Sequence, residues 1–305
     1  MKELARAGPA DLSVLYWDYI SFLDASPRTV QTYAGNVRQF IKWTQAHGIE
    51  QPTRADIIAY RDDLRSRCKP ATVQAYITAL RLFFQWAAQA GLYPDIAQRV
   101  KGAKIDSTPK RDYLSAEQVR GILDGIDTKT AQGLRNYCLF ALMVTGGLRD
   151  IEASRANVDD LQTLGGNPVL YLQGKGREER TEYIKIVPAV ERALRQYLDI
   201  RTSAGYGDPL FISMSNNSRG RRLSPRSICA VVKSILVTAG YNSDRITAHS
   251  LRHTAVTLAL LGEIPLEEVQ QFARHRNIAT TQIYAHNLER IRNRSEDAIA
   301  ASIFL

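Results

Sequence analysis

Apolar residues recur every three to four positions through most of the chain, and the one stretch that breaks this pattern lies between residues 158 and 187. The first pattern is typical of amphipathic helices. The second consists of short apolar or alternating runs separated by glycines, which is typical of strands joined by tight turns. Together they predict a mainly α fold with one small antiparallel β-sheet.

The first third of the chain predicts four helices, enough for a small bundle. The segment Leu12–Leu23 is the first of them. Ser26 and Pro27 form the N-cap and first-turn pair of the second helix. Thr53 begins the third segment and Pro70 begins the fourth. We therefore expect a purely helical domain here.

A polar, basic and proline-containing stretch over residues 101–112 is typical of a linker. A chain of 305 residues is long enough for two domains. We assign residues 1–100 to the helical domain and residues 113–305 to a second, α+β domain.

The second domain mixes helical and strand patterns. Ser115 and Gln118 are spaced as a capping box, which predicts a helix start. Another helix is predicted over Thr130–Thr145, where two glycines end it. Four strands are predicted, at Val158–Leu161, Pro168–Gln173, Arg180–Val187 and Leu210–Ser213.

Composition excludes several protein classes. Hydrophobic residues make up 45% and charged residues 23%, which excludes a disordered or collagen-like chain. No apolar run approaches the roughly 20 residues that span a bilayer, and the N-terminus lacks the apolar core of a signal peptide. The cysteines at 68, 138 and 229 are few and far apart, as in a reducing compartment. We expect a cytoplasmic protein that does not bind membranes. The net charge of +9 favours a polyanionic partner without establishing one.

Four of the five histidines, His249, His253, His275 and His286, fall close together in sequence, which suggests either metal or phosphate chemistry. Arginines flank them and no carboxylate stands among them, so we expect no metal site. His249, Arg252 and His253 share one face of a predicted helix, because they are three and four positions apart. Apolar residues follow directly, so this helix is partly buried, and a buried arginine needs an anionic partner. The pattern favours phosphate binding.

Five motifs resemble those of the tyrosine recombinases, the phage integrase family that includes the Xer recombinases. They are TGGLRDIE at 145–152, LQGKGREER at 172–180, HSLRHT at 249–254, ARH at 273–275 and TTQIYAH at 280–286. The helical first third resembles the SAM-like core-binding domain of that family, with SPRTVQTY at 26–33 and PATVQAY at 70–76. The resemblance covers nearly the whole chain, and it makes residues 113–305 the expected catalytic domain.

The resemblance implies a catalytic set that needs no metal, cofactor or ATP: Arg149, Lys175, His249, Arg252, His275 and Tyr284. The arginines would bind the non-bridging oxygens of a scissile DNA phosphate, and the histidines would complete this cradle. Tyr284 would attack the phosphorus and form a 3′-phosphotyrosine, while Lys175 would protonate the 5′-oxygen that leaves. A histidine, Lys175 or the arginine-rich field could activate the tyrosine. Glu152, one turn after Arg149, would support the site.

The chain departs from the family at one motif, because ARH stands where the family often has Leu-Gly-His. We expect the added Arg274 to make the site or its rim more basic and to contact DNA.

Other contacts to double-stranded DNA are expected from two basic regions. The first domain would contribute Arg28, Arg38, Lys42, Arg67 and Lys69. The second would contribute Arg177, Arg219, Arg221, Arg222 and Arg226. The run at 219–226 is either a solvated basic loop or a grip on phosphates. The two regions would form a clamp, so binding should depend strongly on salt. We see no arm-binding domain ahead of the helical domain, so we expect recognition of core sites only.

The segment 287–305 predicts a helix with an apolar end, which includes Ile299, Ile303 and Phe304. Two explanations are open. The helix either packs on its own domain or docks, as in the family, on a neighbouring protomer to build a tetramer on two DNA sites.

The sequences of the motifs between residues 249 and 286 predict the biological role of an integrase of a mobile element. The alternatives are a Xer-type recombinase that resolves chromosome dimers and a DNA-binding protein of the same fold without catalysis.

Overall fold

The computed structural model describes residues 11–104, 112–174, 179–201, 204–293 and 295–304, the side chains at 287 and 289–292 excepted. The chain divides into two compact units, one within residues 1–107 and the other within 108–305. None of the helices in these ranges is long and apolar enough to cross a membrane.

The first unit consists of the four predicted helices. They are α1 (Leu12–Phe22), α2 (Pro27–Ala46), α3 (Arg54–Arg67) and α4 (Pro70–Gln89). The Ser26 side chain accepts a hydrogen bond from the Thr29 N–H, and Pro27 occupies the first turn of α2, as predicted. Aromatic side chains from α2, α3 and α4 fill the core, with Phe40 and Tyr60 in edge-to-face contact at 5.2 Å.

The second unit contains nine helices and three strands within the described ranges. They are α5 (Ala116–Asp124), α6 (Ala131–Thr145), α7 (Asp150–Arg155), β1 (Leu161–Leu164), β2 (Asn167–Leu172), β3 (Glu182–Lys185), α8 (Pro188–Ile200), α9 (Pro225–Thr238), α10 (Ala248–Leu261), α11 (Leu266–Ala273), α12 (Ile278–Arg292) and α13 (Ser295–Phe304). The predicted fold class is confirmed. Helix α6 is buried along most of its length and packs against α8, α9 and α10, so it is the centre of the core.

The sheet is antiparallel in the order β1-β2-β3. Gly165 and Gly166 form the two-residue turn between β1 and β2, and both have the positive φ that such a turn requires. Two strand predictions are wrong. Residues Val158–Asp160 form a 3-10 turn ahead of β1, because the Asp160 carboxylate caps the Asn157 N–H. Within the described residues, Leu210–Ser213 pair with no strand. The one bridge in this segment joins Ile212 to Arg222, and the side chains of Leu210 and Phe211 are buried as part of a loop.

The C-terminal segment is two helices rather than one. Helix α12 ends at Arg292, and α13 follows from Ser295 with no buried side chain. Its apolar residues Ile299, Ile303 and Phe304 are 57%, 65% and 82% exposed. Helix α13 therefore leaves its apolar side uncovered by its own unit, contrary to the first of the two explanations considered above.

Candidate active site

Four helices of the second unit position the predicted site residues that the structure describes. Arg149 is the N-cap of α7, Arg252 lies on α10, His275 follows α11 and Tyr284 lies on α12. His249 is exposed in the first turn of α10. The predictions made for Lys175 and Arg177 lie outside the described residues.

Glu152 is the anionic centre of the arrangement. Its side chain is 0% exposed, and its two oxygens accept hydrogen bonds from Arg149 Nη1 at 2.6 Å and Arg274 Nη2 at 3.0 Å. The Arg149 N–H also donates to the Glu152 carboxylate at 2.9 Å, so the first turn of α7 is a capping box. Burial raises the pKa of the Glu152 carboxyl, but Arg274, the Arg149 N–H and the Arg149 guanidinium outweigh burial and lower that pKa below its ordinary value.

Arg252 is the most deeply placed of the predicted cations, at 3% exposure. Its Nη1 donates to the Gly147 carbonyl at 2.6 Å, and its Nη2 donates to the Ala273 carbonyl. Burial, followed by repulsion from Arg149 and Arg274, lowers the pKa of Arg252 to about 9. The guanidinium therefore stays protonated at neutral pH, in surroundings that favour a nearby anion.

The glycine pair that ends α6 allows the Gly147 carbonyl to lie close to the Arg252 guanidinium. Gly147 has a φ of +57°, and a Cβ there would lie 3.3 Å from the Phe272 ring. A glycine at this position lets the loop present its carbonyl to Arg252 without strain.

The cluster as a whole is positively charged. Three guanidinium groups, those of Arg149, Arg252 and Arg274, lie around the single carboxylate of Glu152. Three positive charges and one negative charge leave two positive charges in a largely buried volume. Such an arrangement is suited to holding a doubly charged anion or an anionic transition state.

His275 is held by its neighbours on both sides. Its N–H donates to the Gln270 carbonyl at 3.1 Å, and its Nδ1 is hydrogen-bonded with Thr281 Oγ1 at 2.9 Å. Burial, together with Arg252, Arg149, Arg274 and His249, lowers the pKa of His275 to about 4. The imidazole is therefore neutral at neutral pH.

Tyr284 lies against two imidazoles. The centre of its ring is 4.6 Å from that of His253 and 6.2 Å from that of His275. The ring is half-buried and packs on a small apolar cluster that includes Val256 and Val269. The structure thus brings Tyr284 together with His275 and His253.

Arg274 lies inside the site rather than at its rim. Its side chain is 4% exposed, so it is not a rim residue available to DNA. It donates to Glu152 and to the carbonyls of Gly146, Gly147 and Phe272. The ion pair with a buried carboxylate draws the guanidinium inward.

The predicted DNA-contacting residues of the first unit are on its surface. Arg28, Arg38, Lys42, Arg67 and Lys69 are all exposed. Three of them have partners within the unit. Arg67 pairs with Asp63 at 2.9 Å, Arg38 donates to the Tyr16 hydroxyl at 2.6 Å, and Arg28 donates to Gln31 Oε1 at 3.3 Å.

The arginine run of the second unit is not uniform. Arg219, Arg221 and Arg226 are exposed. Arg222 is exposed as a whole, but its Nη1 donates to the carbonyls of Ser154 at 2.9 Å and Ala156 at 3.0 Å. Arg222 therefore anchors its loop to the end of α7.

Sequence reasoning missed three residues next to the site. Thr281 is fully buried and contacts His275; its place one helical turn before Tyr284 was the available signal. Arg155 donates to the Gly174 carbonyl at 3.2 Å, and Arg180 pairs with Asp160 at 2.6 Å. These two arginines hold the residues that flank 175–178, Gly174 on one side and Arg180 itself on the other. No local pattern in the sequence predicts these contacts.

Comparison with known proteins agrees with this geometry. Residues 112–290 match the phage integrase family, and residues 16–92 match the N-terminal SAM-like domain of phage integrases. The chain is 30% identical to the tyrosine recombinase XerD of Corynebacterium glutamicum over 285 residues, which is 86% of this chain and 88% of that protein. It is 29% identical to XerC of Pelobacter propionicus over 280 residues, 87% of each.

Solved structures share the fold. The XerH recombinase bound to a palindromic difH substrate after cleavage superposes with a TM-score of 0.73 at 22% identity, over 90% of this chain and 80% of that one. The Tn1549 transposon integrase in complex with transposon right end DNA superposes with a TM-score of 0.70 at 16% identity, over 90% of this chain and 94% of that one. With the family match over most of the second unit, these findings show that the chain belongs to the phage integrase family and is a tyrosine-type site-specific recombinase.

Proposed function

We propose that the arginine cluster binds a DNA phosphodiester and that Tyr284 attacks its phosphorus. The Tyr284 oxygen forms the new bond to phosphorus, and the bond to the 5′-oxygen breaks. The products are a 3′-phosphotyrosine and a 5′-hydroxyl, whose proton Lys175 supplies. Attack by the 5′-hydroxyl of another strand reverses these steps and rejoins the DNA without ATP.

The observation that carries this proposal is the place of the Tyr284 ring. It contacts His253 and His275, which adjoin a buried cluster with two net positive charges. Phosphoryl transfer places negative charge on the equatorial oxygens, and fixed guanidinium groups stabilise that charge in a site of low dielectric constant. Arg149 and Arg252 supply this stabilisation in our proposal, and His249 and His275 complete the cradle.

The same surroundings help to ionise the tyrosine. A phenol with a pKa near 10 is a poor nucleophile at neutral pH. His275 is neutral there, and a bound phosphate anion offsets the arginine charges that lower its pKa, so that it can accept the phenolic proton. The positive cluster favours the phenolate that results. We propose His275 as the acceptor, with Lys175 and the arginine field as the alternatives.

A covalent trapping assay tests the reaction. The DNA is a duplex selected from a random-sequence library by binding to the Tyr284→Phe protein, then nicked close to the cleavage position so that the released fragment diffuses away. The wild-type protein is expected to accumulate a protein–DNA adduct that Tyr284→Phe does not form. Tyr206→Phe, at a 93% exposed tyrosine, is the matched control and should react normally. An adduct formed equally by Tyr284→Phe would contradict the proposal, and no adduct with any protein would favour a DNA-binding protein without catalysis.

Both units contact duplex DNA in our proposal, with residues 1–100 as the core-binding domain, 101–112 as the linker and 113–305 as the catalytic domain. Exposed cations on each unit support this, and the solved neighbours are recombinases bound to DNA. We place the reaction in the cytoplasm, where the DNA is.

We further propose a tetramer on two DNA sites in which α13 docks on a neighbouring protomer. The uncovered apolar residues Ile299, Ile303 and Phe304 support it, because an exposed apolar helix end is stabilised by a partner surface. Truncation at Ala298 should leave DNA affinity intact while abolishing the synaptic complex seen by size-exclusion chromatography with light scattering. A truncated protein that still pairs two duplexes would refute this arrangement.

The biological role that we propose is integration of a mobile element. A second candidate, Xer-type resolution of chromosome dimers, is favoured by the names of the relatives. Deleting the gene in its host separates the two roles. Loss of a circular element junction, detected by PCR, supports the first role, whereas accumulation of chromosome dimers with filamentous cells supports the second.

A further inference from the structure

Arg274 makes four hydrogen bonds that link two separate segments of the site. Its Nη2 donates to the Gly147 carbonyl at 2.9 Å and to Glu152 Oε2 at 3.0 Å. Its Nη1 donates to the carbonyls of Phe272 at 2.8 Å and Gly146 at 3.3 Å. A planar guanidinium can serve acceptors on both segments at once, which a lysine ammonium cannot do in the same geometry.

The position carries two local costs. Arg274 has a φ of 53° and a ψ of 44°, the left-handed conformation that suits glycine rather than a side chain with a Cβ. Its Nε is buried and has no hydrogen-bond partner among the residues that the structure describes. Strain of this kind persists where the surroundings hold the residue in place, and it is concentrated at functional sites.

Each proposed phosphate-binding arginine shares an acceptor with Arg274. The Gly147 carbonyl also accepts from Arg252 Nη1 at 2.6 Å. The Glu152 carboxylate also accepts from Arg149 Nη1 at 2.6 Å. In addition, the Arg274 carbonyl accepts from Arg149 Nη2 at 3.3 Å. Removing the Arg274 side chain therefore takes one donor away from the Gly147 carbonyl and one from the Glu152 carboxylate, the two groups that orient Arg252 and Arg149.

We propose that Arg274 is a positioning residue of the recombinase, which holds Arg149 and Arg252 in their phosphate-binding orientation and adds a fixed positive charge behind them. It is too buried to touch DNA, so it acts through its neighbours. The inference rests on the proposed roles of those two arginines.

The charge has a separate, measurable consequence at His275. Burial is the main cause of the low pKa of that imidazole, and the charges of Arg252, Arg149, Arg274 and His249 lower the pKa further. The Tyr284 ring lies against the imidazole from α12. Removing one of these charges raises the pKa of His275 toward its ordinary value. The pH below which cleavage slows through protonation of His275 then moves upward.

Three variants test the proposal in single-turnover cleavage of the selected, nicked duplex. Arg274→Gly removes the side chain and relieves the strain of the left-handed backbone conformation. Arg274→Met keeps a long side chain but removes the charge. Arg274→Lys keeps the charge but lacks the planar guanidinium group. Arg274→Gly and Arg274→Met should cleave about 10- to 100-fold more slowly at saturating DNA, with the affinity for DNA unchanged within about threefold. In both variants, cleavage should also begin to slow at a higher pH than in the wild type. Arg274→Lys should lose rate but keep the wild-type pH dependence.

Glu263→Gly is the matched control. Glu263 is an exposed residue of the same unit with a φ of 61°, so the change relieves a similar backbone conformation away from the site. It should cleave at the wild-type rate. The proposal is overturned if Arg274→Gly cleaves within about twofold of wild type or if its loss lies entirely in DNA affinity. The trapping assay keeps the two proposals apart, since an adduct that survives Tyr284→Phe would defeat the proposed function itself.

Discussion

Arg149 and Glu152 form an ion pair in which Nη1 of the arginine lies 2.6 Å from Oε1 of a fully buried carboxylate. The same carboxylate caps the N–H of Arg149, so one residue fixes both the backbone and the side chain of the other. The orientation of the Arg149 side chain is therefore set without any substrate present, and our proposal directs it toward a phosphate. Preorganisation of this kind avoids reorienting the cation during the reaction.

Replacing Glu152 with Gln should destabilise the second unit. Two arginines would then face a neutral amide in a buried volume, and breaking one partner of a buried pair costs about 3–5 kcal/mol. We expect a loss of about 3 kcal/mol in the free energy of unfolding, measured with urea. Glu191→Gln is the control, because its partner Arg195 on α8 is 75% exposed and this pair should contribute less than about 1 kcal/mol. Equal losses in the two variants would contradict the importance of the buried pair.

His275 should make the protein sensitive to mild acid. Its pKa is about 4 in the folded protein against an ordinary value of 6.5, so the unfolded chain binds a proton more readily. Its contribution to stability is complete above pH 6.5 and is lost as the pH falls toward 4. His275→Asn should therefore show a smaller drop in urea midpoint between pH 7 and pH 5 than the wild type. Glu152 does not contribute to that drop, because its pKa lies below 4.5 and its share is lost only in stronger acid. Parallel curves for the two proteins would refute the prediction.

Local patterns in the sequence predicted the elements whose ends are fixed by neighbouring residues. The Ser26 cap of α2, the Ser115–Gln118 capping box of α5 and the glycine turn between β1 and β2 are all contacts within a few positions. The grouping of Arg149, Arg252, His275 and Tyr284 followed from recognising the family rather than from periodicity.

Contacts between distant positions could not be predicted in this way. Arg274 is buried because Glu152, 122 positions earlier, draws it inward, and an arginine by itself predicts exposure. Leu210 and Phe211 form an apolar run that resembles a strand, yet no strand in the described part of the chain pairs with them, and they are buried in a loop. A short apolar run reports burial and does not by itself distinguish a strand from a loop.

Thr281 should matter for cleavage although it cannot react. Its hydroxyl is hydrogen-bonded with His275 Nδ1 at 2.9 Å, which fixes the orientation of the ring. Thr281→Val keeps the volume and removes that bond. We expect cleavage of the nicked duplex to slow by about tenfold, the effect of losing one hydrogen bond of about 1.4 kcal/mol, while DNA affinity stays constant. Thr280→Val, at the exposed neighbour on the same helix, should cleave normally. Equal rates for the two variants would show that the hydroxyl does not orient His275.

Arg221 and Arg222 are adjacent, yet their replacement should have different consequences. Arg222 donates to the carbonyls of Ser154 and Ala156 and, at 2.6 Å, to Asn157 Oδ1. Arg222→Ala removes one donor from each of these acceptors, although the Ala156 carbonyl still accepts from the Leu210 N–H, so the free energy of unfolding should fall by about 1–3 kcal/mol. The exposed Arg221 is expected to contact a phosphate, so Arg221→Ala should keep the wild-type urea midpoint.

The DNA measurement completes this last comparison. Affinity for the selected duplex, measured by fluorescence anisotropy from 50 to 300 mM salt, should fall in Arg221→Ala, with the slope of log affinity against log salt shallower by about one. Arg222→Ala should keep the wild-type slope, because its guanidinium is committed to the end of α7 rather than to phosphate. A reduced slope in Arg222→Ala together with an unchanged urea midpoint would reverse this assignment and return Arg222 to the DNA-binding surface.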